Sequence, residues 1–537
     1  MWVVLGIYPQ RFWIKCAFAC VFLAACRSPE VRRAVFRANI YGGLTSLDPA
    51  FARTEANAWI VGRIYDPLLR LNDSLRVVPA LARSYRVSQD GLEYTFELRR
   101  DAFFHPHVAF GGDSTRRADA RDVVFSFTRL VDARVASPGQ WLFNQCVEGV
   151  KEFREGEAQT VSGFRAPNDS TFVLRLSRPF APLLRMLASP YASIVPREAP
   201  TAGIGTGPFR LKSWREGRSL ILLKNSRYFG AVPQLDAVVF RFIGGKTSAF
   251  HEFLRGGLDY LDAPDPALVE ELFLPDGTLK PGYAQRFEAQ SLAQMTTEYI
   301  GLFAGDDFAA LNDARVRRAL SLAIDRRRLV RPPITAVPTG GFIPEGVPGR
   351  QPVSAPVYDP DSARKLIQAA GARWPRPLTL LTNPAYRLQA ERIQKYWSQI
   401  GVPTQIQEMD GAALRERVVS GSARAWRASW VADYPDPENF FALFASFHVP
   451  PHGPNYTRFS HPQYDSLYRV AAARPNPEVY VRMEEILARH MPVVVLYYYR
   501  TVRLMNKKFV APAHPMFLEL EKIKIRPTFD SSISSKR

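Results

Sequence analysis

One apolar run, over residues 16–25, is the only part of this sequence with the character of a membrane segment. Its ten residues are half of the roughly 20 that a spanning helix needs. Arg11 and Lys15 stand ahead of the run, and Leu23, Ala24 and Ala25 close it. A positive flank, a short apolar core and a small-residue end make an export signal. The rest of the chain must fold in water, and a multi-span channel or transporter is excluded. Cys16 and Cys20 would leave with the signal, so beyond Cys26 only Cys146 remains, with no intramolecular partner. The body therefore holds itself together by burial rather than by crosslinks, as its length allows.

The composition supplies the core this requires. The chain is 47% hydrophobic, 12% aromatic and only 23% charged, which rules out a mainly disordered or collagen-like chain. At roughly 150 residues per domain, 537 residues suggest three or four compact units. The formal net charge is +19, but the basic residues are scattered through ordinary elements, without a long basic run or a nucleic-acid motif. Nucleic-acid binding is not expected on that dispersion. Attraction to anionic headgroups or an acidic cell wall fits better, and a general preference for arginine better still. Leu23-Ala24-Ala25-Cys26 resembles the bacterial lipobox, in which the cysteine becomes the lipid-modified N-terminus. The alternative is an ordinary signal with a chance cysteine. The expectation is an exported chain, lipid-anchored through Cys26.

Beyond the signal the sequence alternates strands and helices. Residues 85–99 read as a hairpin turning at Asp90-Gly91, with Tyr94, Phe96 and Leu98 alternating behind it. Asp119, Asp313, Asp359 and Asn476 each stand where a side chain caps a helix, and Pro360 and Pro477 occupy first helical positions. Residues 493–499 have the continuous apolar, β-branched and aromatic character of a strand buried on both faces. The class is mixed α/β.

Most candidate chemistry fails. Residues 243–248 look briefly like a phosphate loop, but Phe240 stands where that loop needs glycine, and the segment reads as a turn. His105 and His107 flank a proline, and His448 and His452 enclose two; neither pair has helical metal-ligand spacing, and exposed loop histidines are expected. No G-x-S-x-G or H-E-x-x-H pattern occurs. We expect no enzyme, no cofactor and no metal site.

The segment over 426–440 stands out. With a period of two, Ala428, Trp430 and Ala432 share one face of a strand, and Arg427, Ser429, Val431 and Asp433 share the other. At ~3.3 Å per residue, Arg427 and Asp433 sit about 20 Å apart, too far to pair along the strand. Lining a cleft, such a face would offer a guanidinium at one end, a carboxylate at the other and backbone groups between, which suits an extended zwitterion such as a peptide. The alternative is that Asp433 caps the next turn and Arg427 is a solvated strand residue.

Collinear motifs then bring in a resemblance over roughly residues 40–525. They include Leu47-Asp48-Pro49, Gln89-Asp90-Gly91, Asp122-Val123-Val124-Phe125, Gly205-Thr206-Gly207-Pro208-Phe209, Ala323-Ile324-Asp325, the segment from Trp430 to Phe440, and Tyr497-Tyr498-Tyr499. With these the chain resembles the family-5 extracellular solute-binding proteins of ABC importers, oligopeptide-binding type. The resemblance implies a two-lobed α/β periplasmic-binding-protein fold with an inserted domain and a ligand cleft between the lobes. Lobe one would comprise 26–65, 198–292 and 501–537, the inserted domain 66–197, and lobe two 293–500, after a signal over 1–25. Asp433 would bind a peptide ammonium, Arg427 would meet the carboxyl end of short peptides, and Ser429 and Val431 would offer backbone groups. Trp430 and Tyr499 would complete the contacts, and Gly205 to Phe209 would form a structural turn. An inner-membrane permease would be the partner, and the receptor a monomer.

Departures accompany the resemblance. An acidic contact is expected where Arg53 stands, with Glu55 nearby. A tyrosine is expected at Gly139, with Trp141 the nearest aromatic in sequence, and an asparagine at Ala263, next to Asp262. A nickel-chelate, haem or oligosaccharide receptor on the same scaffold, or a surface adhesin lipoprotein, are the competing readings.

Overall fold

Strands with apolar, β-branched and aromatic runs assemble into one large mixed sheet, and the amphipathic helices between them cover it. The computed structural model describes residues 34–527 apart from 112, 113, 145, 331, 332, 355 and 515. The signal and Cys26 lie outside the described residues. Among the described residues no helix is long and apolar enough to cross a membrane.

The main sheet has 11 strands. Val35–Asn39 runs parallel to Ala237–Arg241 and to Tyr260–Asp262; the chain leaves this sheet after its first strand and returns to it at Phe209–Arg215. The excursion carries a separate four-stranded antiparallel sheet built from Ala82–Val87, Glu93–Leu98, Thr171–Arg175 and Phe164–Asn168. Its core is aromatic. Phe127, fully buried, faces Phe143, Phe172 and Phe164 at 4.8, 5.5 and 5.8 Å between ring centroids. Truncating such a residue to alanine costs about 3–5 kcal/mol.

Two strands tie the molecule together lengthwise. Phe287–Leu302 and Val493–Asn506 run antiparallel. Their ladder is regular from Phe287↔Asn506 to Ala293↔Arg500, loses register, and resumes at Thr297↔Tyr498. Residues 294–296 thus stand opposite Tyr499 alone. On one side of this break lies a core holding Phe36, Val238, Phe240 and Leu520; on the other, one holding Ile300, Leu320, Leu380 and Trp397.

The local signals act as their chemistry requires. The Asp119 carboxylate accepts from the first-turn N–H groups of helix Ala120–Val131 while Asp122 reaches back to the N–H of Asp119, a reciprocal cap. Asp313, Asp359 and Asn476 cap helices Ala314–Leu322, Pro360–Ala369 and Pro477–His490. The hairpin turns at Asp90-Gly91, whose Asp90 carboxylate accepts from the Leu92 N–H. Tyr498 completes the doubly buried strand, whereas Tyr499 is 38% exposed. The turn expected over 243–248 is replaced by an irregular connection at 243–245 and, from Lys246, a helix to Leu254.

One expectation is corrected. His105 is not an exposed loop residue: it is 4% exposed, with one ring nitrogen 3.0 Å from the Gly207 carbonyl and the other facing the Gly205 N–H. Burial pulls its pKa down to about 4, so it stays neutral and acts as a clamp. Gly205 and Gly207 pack flat on the backbone of Arg63 and Ile64, where a Cβ at 205 would lie 2.0 Å from the Ile64 carbonyl oxygen. That close approach explains why the motif needs glycine: it is a structural turn against helix Glu55–Ile64.

Candidate functional site

Strand Ala425–Val431 pairs along its whole length with Phe287–Leu302 on one side. On its other side, parallel strand Leu378–Thr382 engages only Ala425 and Trp426. Among the described residues no strand covers 427–431 there. An unpaired edge of this kind offers N–H and C=O groups to an extended chain laid beside it. Ser429 and Val431 lie on this edge and are exposed, Val431 by 63%.

The strand ends at Val431, so Asp433 lies in the bend beyond it rather than on the strand face expected from the alternation, and the two charges have different surroundings. Arg427 is buried and fully engaged. Its guanidinium pairs with Glu298 from the neighbouring strand, donates to the Gln389 side-chain oxygen and the Ser429 hydroxyl at 2.8 Å each, and stacks on the Tyr386 ring at 3.7 Å. The Ser429 hydroxyl in turn donates to Glu298 at 2.6 Å. Arg427 is therefore no solvated strand residue, and its charge is already balanced.

Asp433 is the opposite case. Its side chain accepts from no cation among the described residues, and its backbone N–H reaches the Asn439 side chain at 3.4 Å. It does not cap the next turn: Asp436 does, accepting from the Glu438 N–H at 2.9 Å. Asp433 remains accessible yet ringed by protein, and loss of solvent raises its carboxyl pKa above the ordinary value. It lines a cavity of about 110 Å³ together with Tyr65, Arg185, Pro190, Tyr434 and Phe517. This wall joins residues distant in sequence. Arg185 pairs with buried Asp436 at 2.6 Å, and the Ala181 N–H donates to the Ala472 carbonyl at 2.9 Å.

An aromatic group covers the Asp433 end. Trp141 stacks on Tyr434 at 5.8 Å and meets Tyr191 edge-on at 6.3 Å. A Cβ on Gly139 would lie 2.4 Å from the Tyr191 ring, so that ring fills the room of a side chain at 139. The tyrosine expected at 139 is thus matched in space by Tyr191, from turn Pro190–Ala192. The only sequence signal was the glycine itself. Behind Tyr434, buried Glu438 accepts hydrogen bonds from the Tyr434 and Tyr468 hydroxyls, and burial pushes its pKa up to about 7.

The remaining predicted residues separate. Trp430 is engaged by the fold: its indole N–H donates to Asn439 at 3.0 Å and its side chain packs against the core cluster that includes Phe440 and Phe441. Tyr499 is at the ladder break; burial first, then the Asp262 charge, pushes its phenol up to about 12. Asp262 accepts from the Thr501 hydroxyl at 3.0 Å and lies 3.6 Å from Arg503. Ala263 takes a left-handed backbone, with φ of 44°. Glu55, in the first turn of its helix, has its carboxyl raised by burial and by Asp262. Sequence reasoning missed Glu298, Tyr191 and Tyr386.

Asp73, His514 and Glu519 bring potential metal-ligand atoms within 4.8 Å of one another. The Lys522 ammonium lies 2.6 Å from Asp73 and 2.5 Å from Glu519. His514 Nδ1 accepts from the Met516 N–H at 3.2 Å. The Lys522 ammonium thus bridges the two carboxylates.

This architecture has known counterparts. Residues 76–448 match the family model of bacterial extracellular solute-binding proteins, family 5. The dipeptide-binding protein of Escherichia coli (strain K12) is 26% identical over 78% of this chain and 80% of its own length. Heme-binding protein A of Haemophilus influenzae is 25% identical, over 78% and 77%. The unliganded open form of the periplasmic murein tripeptide binding protein MppA superposes with a TM-score of 0.77 at 25% identity, covering 92% of this chain and 98% of that one. The fold is the two-lobed α/β fold that the resemblance implied, and the chain belongs to the family-5 extracellular solute-binding proteins.

Proposed function

We propose that this family-5 solute-binding protein is an exported, lipid-anchored receptor that captures peptides in a cleft between its lobes. It delivers them to an inner-membrane ABC permease and performs no covalent chemistry. The observation that carries the reading is Asp433, a carboxylate with no cation among the described residues, at the end of an unpaired strand edge. The carboxylate is exposed and open to an incoming cation. A peptide ammonium would pair with it: two unit charges about 4 Å apart attract by roughly 4 kcal/mol gross at an effective dielectric of 20. The edge over 427–431 adds backbone hydrogen bonds that demand no particular side chain, which suits a receptor for many sequences.

Arg427 shapes the other end. A peptide carboxylate arriving there competes with Glu298 for the same guanidinium, so the carboxyl terminus is held less firmly than the amine. Lobe one is 26–65, 198–292 and 501–537, with the inserted domain 66–197, and lobe two is 293–500. The parallel return of the chain onto Val35–Asn39 and the ladder break at Ala293/Thr297 support those boundaries. Ligand contacts made only when the lobes approach shift the population toward the closed form.

Calorimetry with a short peptide and its N-acetylated form tests the reading. The free amine should bind far more tightly, and the advantage should vanish in Asp433→Ala. Equal binding of both forms by the unaltered protein would sink the ammonium anchor. Native mass spectrometry of protein purified gently from cells should show peptide adducts; a haem or metal adduct instead would replace the peptide reading.

A further inference from the structure

At the end of the strand edge away from Asp433, the register places Glu298 directly opposite both Ser429 and Tyr497, and so within diagonal reach of Arg427. Each of the three guanidinium nitrogens has an acceptor. Nε donates to the Gln389 side-chain oxygen, one terminal nitrogen to the Ser429 hydroxyl, and the other meets Glu298 and, at 3.4 Å, the Tyr497 hydroxyl. The Gln389 side-chain N–H donates to that same Tyr497 hydroxyl at 2.9 Å, which locks the acceptors to one another. Tyr386 covers one flat face of the group. Only 2% of the arginine side chain and 5% of the glutamate side chain is exposed. A carboxylate grips a guanidinium through two parallel N–H groups, and none of these is left open here. Nearby cations are taken as well. Arg387, next to Tyr386 in the chain, pairs with Glu391 at 2.7 Å and with Glu408; Arg500, next to Tyr499, donates to the Ser291 hydroxyl at 2.9 Å and lies 3.6 Å from Glu345.

We infer that Glu298 makes this receptor indifferent to the carboxyl end of its ligand. The class it captures is peptides anchored by the amine, whose far end is a free acid, a blocked end or the start of a longer chain. To reach Arg427, an incoming carboxylate must displace Glu298, which then stays buried without a cation, and a buried unpaired charge is costly. An amide or a continuing peptide bond brings no charge to this end. It meets the open edge at Ser429 and Val431, where backbone pairing is the same whether the ligand stops or continues. Glu298 thus determines specificity through Arg427, by withdrawing the one cation on this strand from the ligand. The inference rests on the peptide reading above and names which peptides it covers.

The test is calorimetry with peptides of alternating alanine and serine, three to six residues long, each as the free acid and as the C-terminal amide. At about 3.3 Å per residue, this range carries the far end of a ligand anchored at Asp433 along the edge as far as Arg427. Acid and amide should agree within about twofold at every length. The double variant Arg427→Met with Glu298→Leu, which removes both charges together, should bind both forms as the unaltered protein does. Glu298→Gln keeps the shape of the side chain but leaves Arg427 without its anion, and should favour the acid by about tenfold at the length that ends nearest Arg427. A preference of that size in the unaltered protein overturns the inference while leaving the amine anchor in place. A loss confined to the acids in the double variant overturns it too. If Glu298→Gln melts as a folded protein yet binds acid and amide equally, Glu298 is not the determinant and the inference falls. Should that variant not fold, the first two comparisons decide alone. Failure of every peptide to bind removes both readings.

Discussion

Arg427 lies within strand Ala425–Val431 and Asp433 two residues beyond its end, and the fold treats them in opposite ways. The arginine is buried among Glu298, Gln389, Ser429 and Tyr386, every one of which answers its charge. The aspartate is given an accessible wall and no cation among the described residues. Charge alone therefore does not identify a binding group. In the reading proposed above, a charge paired inside the fold stabilises the receptor, whereas one without a cation is left for a ligand.

The contrast can be broken most forcefully at Arg427. Arg427→Met leaves Glu298 buried without its cation and should cost about 3–5 kcal/mol of stability, read by urea unfolding. Adding Glu298→Leu should restore much of the loss. If Arg427→Met unfolds at the same urea concentration as the unaltered protein, the two residues are not coupled as described. Asp433→Ala is the mirror experiment. It should weaken peptide binding by about 2–5 kcal/mol while changing stability by less than about 0.5 kcal/mol; unchanged affinity by calorimetry would remove Asp433 from the site.

Smaller effects sharpen the comparison. Gly139→Ala pushes a methyl group into the Tyr191 ring and should cost about 1–3 kcal/mol, with a loss of affinity if Tyr191 moves. No change in melting temperature would mean that the ring has room to spare. A further effect should come from pH. Glu438 is held near a pKa of about 7 when folded, above its unfolded value, so its contribution to stability is complete in acid and is lost as pH rises through 7. Glu438→Gln should flatten that decline between pH 5 and 8. Parallel melting curves for the two proteins across that range would show that Glu438 does not titrate there.

Much of the frame could be read from the chain because its signals are local. Asp119, Asp313, Asp359 and Asn476 cap helices through N–H groups two or three residues away, and alternation around Asp90-Gly91 needs only its own neighbours. Asp433 stands out in the sequence because period two isolates it on a strand face. The other half of the site depends on residues that only the folded chain brings together. Glu298 reaches Arg427 diagonally across a pair of strands more than a hundred residues apart in sequence. Tyr191 occupies the space left by Gly139, and no local pattern announces a side chain borrowed from another turn. His105 has the sequence character of a loop residue because its prolyl neighbour breaks regular structure; burial against Gly205 and Gly207 belongs to a segment a hundred residues away.

The break in the long ladder at Ala293/Thr297 has a mechanical consequence. A sheet that runs unbroken from one lobe into the other resists sliding, since sliding would tear every rung at once. It bends where rungs are already missing, and residues 294–296 opposite Tyr499 are such a place. In the receptor proposed above, two strands flexing at one level would give the lobes essentially a single angle as their coordinate. Such a molecule would report occupancy as posture, so a membrane partner that senses the angle would need to read nothing of the ligand's identity.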